Sequence, residues 1–547
     1  MATEKNPSTI DEFCFWTKSD LIINPFDVVC VNHIDNSTTY GVVEEISHIT
    51  DSESYLSNYL SSDFGSLEEG TSQGNSLRVG MYCVKARVTG NSKNLYTPVH
   101  EGALVSSANE DQIREALGLK DDESEHMAVV GFIDMYEGSQ NIEKVTIPVK
   151  LDRRFLVGPE GAHLNISGIS GLAAKTSYAM FILNALRQNI GNVHNNDSAY
   201  IFFNVKGCDL LAIDEAVEDP NKTIAREYDM LKLKSQPFNN VHYLYPRGWP
   251  SEHANSFVPK EQFSKQSDDE KASIYSFTYE DNRDDIDLLF ADIDDSTQTI
   301  ESIISLIQSD DRFDNDTMKW KDFIDELEKN ASTGSSKNTK NKEITVASWR
   351  KFTRIVKKTV KTSSIFASAR QDAEINIVEK IRQLKSGDIL VIDIAKLSER
   401  EQAYVFGSVM RAVTDLRFME KAPEAPDRIV TFVDELNKYA SSDLPKNSPI
   451  VKELLDVAER GRSLGIVLFA AEQFRSAIHD RIKGNCSTHA YGRTNAIEIS
   501  KPDYKYIPAV YKNMMTRLKQ GEYILQNPTL RSVLKIRFPR PCYKQFK

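Results

Sequence analysis

The sequence predicts an α/β protein: an open, mostly parallel sheet covered on both faces, preceded by a small β-barrel and interrupted by an inserted α-helical lobe. Three observations predict it. Short β-branched runs broken by Gly, Asn, Asp and Ser fill residues 1–150. Apolar runs of strand length then alternate with helical patterns. One polar, Asp-rich stretch at about 250–345 breaks that alternation.

Length and composition bound the rest. The chain has 547 residues, room for about three or four domains at roughly 150 residues each. With 40% hydrophobic and 27% charged residues it is no collagen, mucin-like stalk or wholly disordered chain. No apolar run approaches the ~18 residues that span a bilayer. The N-terminus, MATEKNPSTIDEFCFW, has no basic stretch leading into an apolar one. A cytoplasmic protein with no membrane partner is the expectation. Six cysteines (Cys14, Cys30, Cys83, Cys208, Cys486, Cys542) lie far apart without a CxxC, and read as reduced thiols rather than a zinc site. The net charge of −12 argues against a surface that coats nucleic acid. It leaves open a grip through a few basic loops inside a ring.

The barrel strands are expected at 27–31, 38–47, 78–90, 127–133 and 144–150, with SSDFGSLEEGTSQGNS (61–76) as a polar loop. The sheet strands are expected at 163–167, 199–205, 388–394, 428–434 and 465–471, apolar enough for cover on both faces. The insertion carries the helix patterns QTIESIISLIQ (298–308) and MKWKDFIDELEKN (318–330), then the loop ASTGSSKNTKNK (331–342). The expected division is 1–150 for the barrel, 151–249 and 370–530 for the two parts of the sheet domain, 250–369 for the insertion and 531–547 for a C-terminal tail.

Most of the chemistry lies in NISGISGLAAKTSYAMFILNAL (165–186). A short apolar strand runs into a loop with Gly168, Ser170 and Gly171; Ala174, Lys175, Thr176 and Ser177 then open an apolar helix. This is the layout of a phosphate-binding P-loop, where backbone N–H groups and a helix N-terminus cradle the β- and γ-phosphates. Lys175 would reach those phosphates and Thr176 would bind Mg²⁺, so ATP and Mg²⁺ are the expected cofactors. Ala174 stands where the consensus GxxxxGK[ST] has glycine, and measured from Gly168 the loop is one residue longer than that consensus. Alanine keeps the N–H but lacks glycine's freedom to take φ > 0. Taken alone, the same residues also read as a Gly-rich strand-to-helix turn.

RIVTFVDELNKYA (428–440) supplies a partner motif, an apolar strand ending in Asp434-Glu435 in the manner of a Walker B element. Asp434 would hold Mg²⁺ through water, and Glu435 would polarise the attacking water as general base. Asp393 in VIDIAK is followed by Ile394 and reads as structural. In AERGRSLGIVLFAAEQF (458–474), Gln473 at a strand end would report the γ-phosphate to the rest of the subunit. Arg460 and Arg462 read either as charges favoured at a helix C-terminus or as an arginine finger for a neighbouring subunit's ATP.

In order, the chain runs barrel, P-loop, a strand followed by VKGCDLL (205–211), helical insertion, VIDI, FVDE and ERGRSLGIVLFAAEQF. That order resembles the HerA branch of the HerA/FtsK superfamily, particularly the HerA-like ATPases of bacterial anti-phage defence. Residues 151–235 and 370–530 carry the likeness, the N-terminal segment only weakly. The resemblance implies a RecA-like core with a HAS-barrel-like N-terminal module. It implies a homo-hexamer, a DNA translocase or helicase driving double-stranded DNA through its pore, with a partner effector such as a nuclease or a sirtuin-like NAD-hydrolase. Carried over residue by residue, it gives Glu435, Gln473 and Arg460 or Arg462 catalytic roles. Gly168, Ser170, Gly171, Ala174, Lys175, Thr176 and Ser177 would bind nucleotide, and Thr176 and Asp434 the metal. The rival reading is a scaffold ring of weak ATPase that assembles and switches a partner enzyme without moving DNA.

WRKFTRIVKKTVKTSS (349–364) sets Arg350, Arg354, Lys357, Lys358 and Lys361 on one helical face, either solvated or in contact with DNA or a partner. Asp284, Asp285, Asp287, Asp292, Asp294 and Asp295 lack the pattern of a calcium loop and read as an exposed acidic face. His163 reads as structural. The tail RFPRPCYKQFK (537–547) could pack on a neighbouring subunit, and nothing in its composition decides that.

Overall fold

The structure is a computed structural model that describes residues 1–546 except 5, 19, 53, 58–79, 120–125, 172–173, 189–196, 314–316, 333–343, 419–423 and 446. The polar loop at 61–76 and all but the first two residues of the loop at 331–342 lie outside the described residues.

The first five strands are β1 (Glu12–Thr17), β2 (Val28–His33), β3 (Ser37–Thr50), β4 (Gly80–Asn91) and β5 (Val105–Ser107). They form one antiparallel sheet in the order β1-β4-β3-β2-β5. Its outer strands, β1 and β5, do not pair with each other, so no closed barrel stands among the described residues. Two strands expected in the barrel, β6 (Met127–Met135) and β7 (Val145–Asp152), join the large sheet instead, through Phe132 opposite Arg537. The reason is legible in MAVVGFIDM: β6 is buried along nearly its whole length rather than on alternate residues, which suits a sheet interior. The helix Glu110–Leu117, capped by Asn109 and Gln112 in a reciprocal pair, stands in a segment read as all β.

The large sheet adds β8 (Leu164–Ser167), β9 (Ser198–Asn204), β10 (Val241–Pro246), β11 (Ala272–Tyr275), β12 (Glu374–Ile375), β13 (Ile389–Asp393), β14 (Arg428–Asp434), β15 (Ile466–Glu472), β16 (Thr488–Tyr491), β17 (Glu522–Gln526) and β18 (Leu534–Arg537). Its order is β12-β11-β10-β13-β9-β14-β15-β8-β16-β17-β18-β6-β7. From β12 to β16 every neighbour is parallel; from β16 onward every neighbour is antiparallel.

Alternation along the strands builds two cores. Tyr200, Phe202, Val430, Phe432 and Phe469 meet the helix Lys175–Gln188 on one face. Ile201, Phe203, Ile429, Val433 and Leu468 face the other way. There the helices Thr299–Ser309, Trp320–Asn330 and Val346–Lys361 bring Ile303, Phe323, Trp349 and Phe352 into the same core. Burying each such side chain contributes about 1.5–3 kcal/mol. The insertion also lends β11 to the sheet. It covers the sheet rather than standing apart from it.

The acidic stretch is only in part the exposed face the sequence suggested: Asp284, Asp292 and Asp294 are exposed, and Asp285 and Asp287 half-buried. Arg411 pairs with Asp285 and Asp287, and Arg400 with Asp292. Asp295 is buried and accepts the N–H groups of Thr299, Ile300 and Glu301 at a helix start. Its oxygens are spent on folding. No helix among the described residues is long and apolar enough to cross a membrane.

Candidate nucleotide-binding site

Because β8, β15, β14 and β9 run parallel and adjacent, their C-terminal ends lie along one edge. That edge is where open α/β sheets bind ligands. Gly168 leaves β8 with its N–H donated to the Glu472 carbonyl (3.1 Å), and the Ile169 N–H is donated to the Arg493 carbonyl (2.8 Å). Gly171 takes φ 79° with open space beside it. Ala174 takes φ 52°, the left-handed conformation that the sequence reading denied an alanine.

The next residue, Lys175, opens the helix and is only 5% exposed. Its Nζ donates to the Gly168 carbonyl (3.0 Å) and to Ser170 Oγ (3.3 Å), so the ammonium sits within the loop. Burial pushes it below the usual lysine value, against the pull of Asp434 and Glu435. Thr176 Oγ1 donates to Asp434 Oδ2 at 3.0 Å. The two motifs read separately in the sequence therefore share one site.

Burial pushes Asp434 above the usual carboxylate range, opposed by Lys175. Glu435 turns out of β14 at φ 57°, its N–H donated to Asp434 Oδ1 (3.0 Å). Its Oε1 accepts both Lys206 Nζ (3.0 Å) and Gln473 Nε2 (3.2 Å). Burial pushes Glu435 up, but the Lys206 ammonium, with help from Lys175 and Gln473, holds the carboxyl below its ordinary value. Gln473 thus stands beside Glu435, at the end of β15 where the sequence put it. Lys206 was missed as a functional residue; its only signal was a lysine two positions beyond an apolar strand, in VKGCDLL.

Ser170, Gly171, Ala174, Lys175, Thr176, Ser177, Lys206, Asp209 and Asp434 line one side of a cavity of about 860 Å³, a volume within the range of small-molecule sites.

No family model matches this chain, and no curated protein does. Among solved structures it is similar to the bacterial conjugative coupling protein TrwBdeltaN70, at 11% identity and TM-score 0.43, covering 73% of this chain and 89% of that one. It is likewise similar to VirB4 of Thermoanaerobacter pseudethanolicus, at 13% identity and TM-score 0.43, covering 77% of this chain and 98% of that one. The genome packaging NTPase B204 from Sulfolobus turreted icosahedral virus 2, solved with ATP-gammaS, matches at 15% identity and TM-score 0.22, over 29% of this chain and 70% of that one.

Not every sequence candidate lines the cavity: Gly168, Glu435 and Gln473 stand behind its wall residues, and others lie farther off. Arg460 and Arg462 lie on the helix Pro449–Leu464, which enters β15 at the end opposite the phosphate loop. A strand of that length separates them from the loop by about 20 Å. Arg460 pairs with Asp456 (3.0 Å) and lies over the Phe418 ring, while Arg462 donates to the Glu160 carbonyl (3.2 Å). Asp393 is fully buried, accepting from Ser256 and from Asn204 (2.8 Å), with burial pushing it up to about 6. His163 is buried too, its Nδ1 accepting the Leu468 N–H (3.0 Å). The basic face of the helix Val346–Lys361 is outside the cavity, with Lys357 paired to Glu328.

Proposed function

We propose that this chain is a P-loop ATPase motor, with ATP and Mg²⁺ as its cofactors. One observation carries the reading: Thr176 and Asp434, 258 residues apart in sequence, share a hydrogen bond at the wall of one cavity with Lys175 beside them.

The residues present fit both cofactors. The helix start at Lys175 and the loop N–H groups offer a positive end to phosphate oxygens, and Lys175 adds a buried positive charge. A divalent ion bound with the nucleotide neutralises phosphate charge, and Thr176 and Asp434 would hold it. No group of three His, Cys, Asp or Glu side chains suited to a metal stands among the described residues. The pair would thus hold an ion together with phosphate oxygens, as magnesium sites commonly do. Glu435, kept ionised by Lys206, would accept the proton of a water aligned on the phosphate, and Gln473 would sense that phosphate through the same carboxylate.

The finer reading is a HerA-like homo-hexamer that translocates double-stranded DNA and serves an anti-phage effector, a nuclease or a sirtuin-like NAD-hydrolase, in the cytoplasm. The order of motifs in the sequence supports it. In this reading residues 151–249 and 370–530 are the motor, 1–150 and 250–369 modules added to it, and Arg460 or Arg462 the finger for a neighbour's ATP.

Nucleotide binding and steady-state turnover test it. Lys175→Ala is expected to abolish ATP binding. Glu435→Gln is expected to bind ATP normally and hydrolyse it ~10²-fold or more slowly, the scale of losing a positioned base. Turnover of Glu435→Gln at the wild-type rate would remove Glu435 as the base. Duplex DNA in the same assay is expected to raise wild-type turnover; stimulation by a partner protein alone would favour the scaffold ring.

A further inference from the structure

Part of the cavity wall is made by the segment that follows β18. After β18 the segment Phe538–Phe546 runs back across the site. The Val217 N–H donates to the Cys542 carbonyl (3.3 Å), the Lys544 N–H donates to the Glu215 carbonyl (2.8 Å), and Ala216 pairs antiparallel with Tyr543. Cys542 and Tyr543 are buried in the core that also holds the helix Lys175–Gln188. Gln545 Nε2 donates to Ser177 Oγ (3.3 Å), tying the segment to the first turn of that helix. Anchored in this way, Pro539, Arg540, Pro541 and Phe546 line the same cavity as Lys175 and Thr176.

The lining of the cavity combines two chemistries. Lys175, Thr176 and the helix start suit phosphates. Val217, Ile224, Phe538 and Phe546 add aliphatic and aromatic groups to the same wall. Arg540 stands among them, exposed, its guanidinium without a hydrogen bond or ion pair among the described residues. Its neighbours in sequence are engaged: Arg537 pairs with Asp134 (2.6 Å) and Lys544 with Glu215 (2.8 Å). Inorganic phosphates have no use for an apolar wall. A nucleobase does, since its faces stack on aromatic rings and on guanidinium planes.

We propose that Phe538–Phe546 is the nucleoside half of the nucleotide site, with Phe546 and Arg540 holding the base of the nucleoside triphosphate whose phosphates lie at Lys175. This rests on the nucleotide reading above. It makes this segment a binding element and leaves the site incomplete without it.

Binding of ATP and of inorganic tripolyphosphate to the full chain separates the two halves. Wild type is expected to bind both ligands and Lys175→Ala neither. An Arg540→Ala, Phe546→Ala double variant is expected to lose about tenfold or more in ATP affinity and to keep its affinity for tripolyphosphate. Wild-type ATP binding by the double variant overturns the proposal, as does an equal loss for both ligands. Phe546 packs partly on the core, so each protein's melting curve is recorded and Arg540→Ala is measured alone. That variant is expected to melt as wild type and to bind ATP at least about threefold more weakly, the scale of a partly exposed cation–π contact. An unchanged ATP affinity there overturns the role of Arg540. Wild type that binds neither ligand overturns the nucleotide reading and this one with it; wild type that binds both, with an indifferent double variant, overturns only this one.

Discussion

Ala174 and Glu435 each take a left-handed backbone conformation, at φ 52° and 57°, on either side of the candidate site. An L-residue there costs roughly 1–2 kcal/mol, strain that folded proteins tend to keep at functional turns. Ala174→Gly relieves it, while glycine loosens the unfolded chain by roughly 0.5–1 kcal/mol. The net expectation is a gain of up to about 1.5 kcal/mol in thermal or denaturant unfolding; a loss would mean that the alanine methyl packs usefully in the loop. Lys206 makes a second residue-scale prediction. Removing it in Lys206→Met leaves burial to act on Glu435 and raises its pKa. A base works only when ionised, so the acid limb of the rate–pH profile is expected to move to higher pH. An unmoved limb would show that Lys206 does not govern Glu435.

At the scale of elements, β15 links the loop that begins at Gly168 to Gln473. Its last residue, Glu472, gives its carbonyl to the Gly168 N–H and its Oε1 to Asn165 Nδ2 (2.6 Å), and Gln473 follows it. Glu472 is fully buried, and burial pushes its carboxyl up to about 8 against the influence of Arg475, Asn165 and Lys175. The folded state therefore holds a proton that the unfolded chain releases near the ordinary glutamate value. Stability is expected to fall as pH rises from that value towards 8, because over this window the unfolded state binds fewer protons. Glu472→Gln cannot ionise, so its melting temperature is expected to drop less than that of wild type between pH 5 and 8; parallel curves would refute the assignment. β8, β9, β13, β14 and β15 were legible in the sequence because burial on both faces makes them continuous apolar runs. β10, β16 and β17 were not picked out, and neither were β11 and β12, at four and two residues. A pairing that short is fixed by its neighbour in the sheet, not by a pattern of its own.

Across the whole molecule, Arg460 and Arg462 lie at the end of β15 opposite the loop that begins at Gly168. If either serves as a finger, it serves another subunit's site. Rings of Lys175→Ala alone and rings of an Arg460→Ala, Arg462→Ala variant alone are then expected to be inactive. Mixed in equal amounts before assembly, head-to-tail rings regain about a quarter of intact interfaces, the product of two one-half chances, and partial ATPase activity with them. No recovery in rings shown by mass to be mixed, together with full activity of the arginine variant alone, would leave the pair as a charged helix end. The sequence by itself determined the chemical groups: the loop Gly168–Ser177, the acids Asp434 and Glu435, Gln473, and the apolar strands that present them. Local order fixes those, because a strand feeding a loop and a helix is written in consecutive residues. Only the tertiary structure decided that Lys206 holds Glu435, that the N-terminal strands divide between two sheets, and that Gln545 rests on Ser177, 368 residues away. Such contacts depend on strand order in the sheet and on where a long chain returns, and neither leaves a periodic mark on the residues concerned.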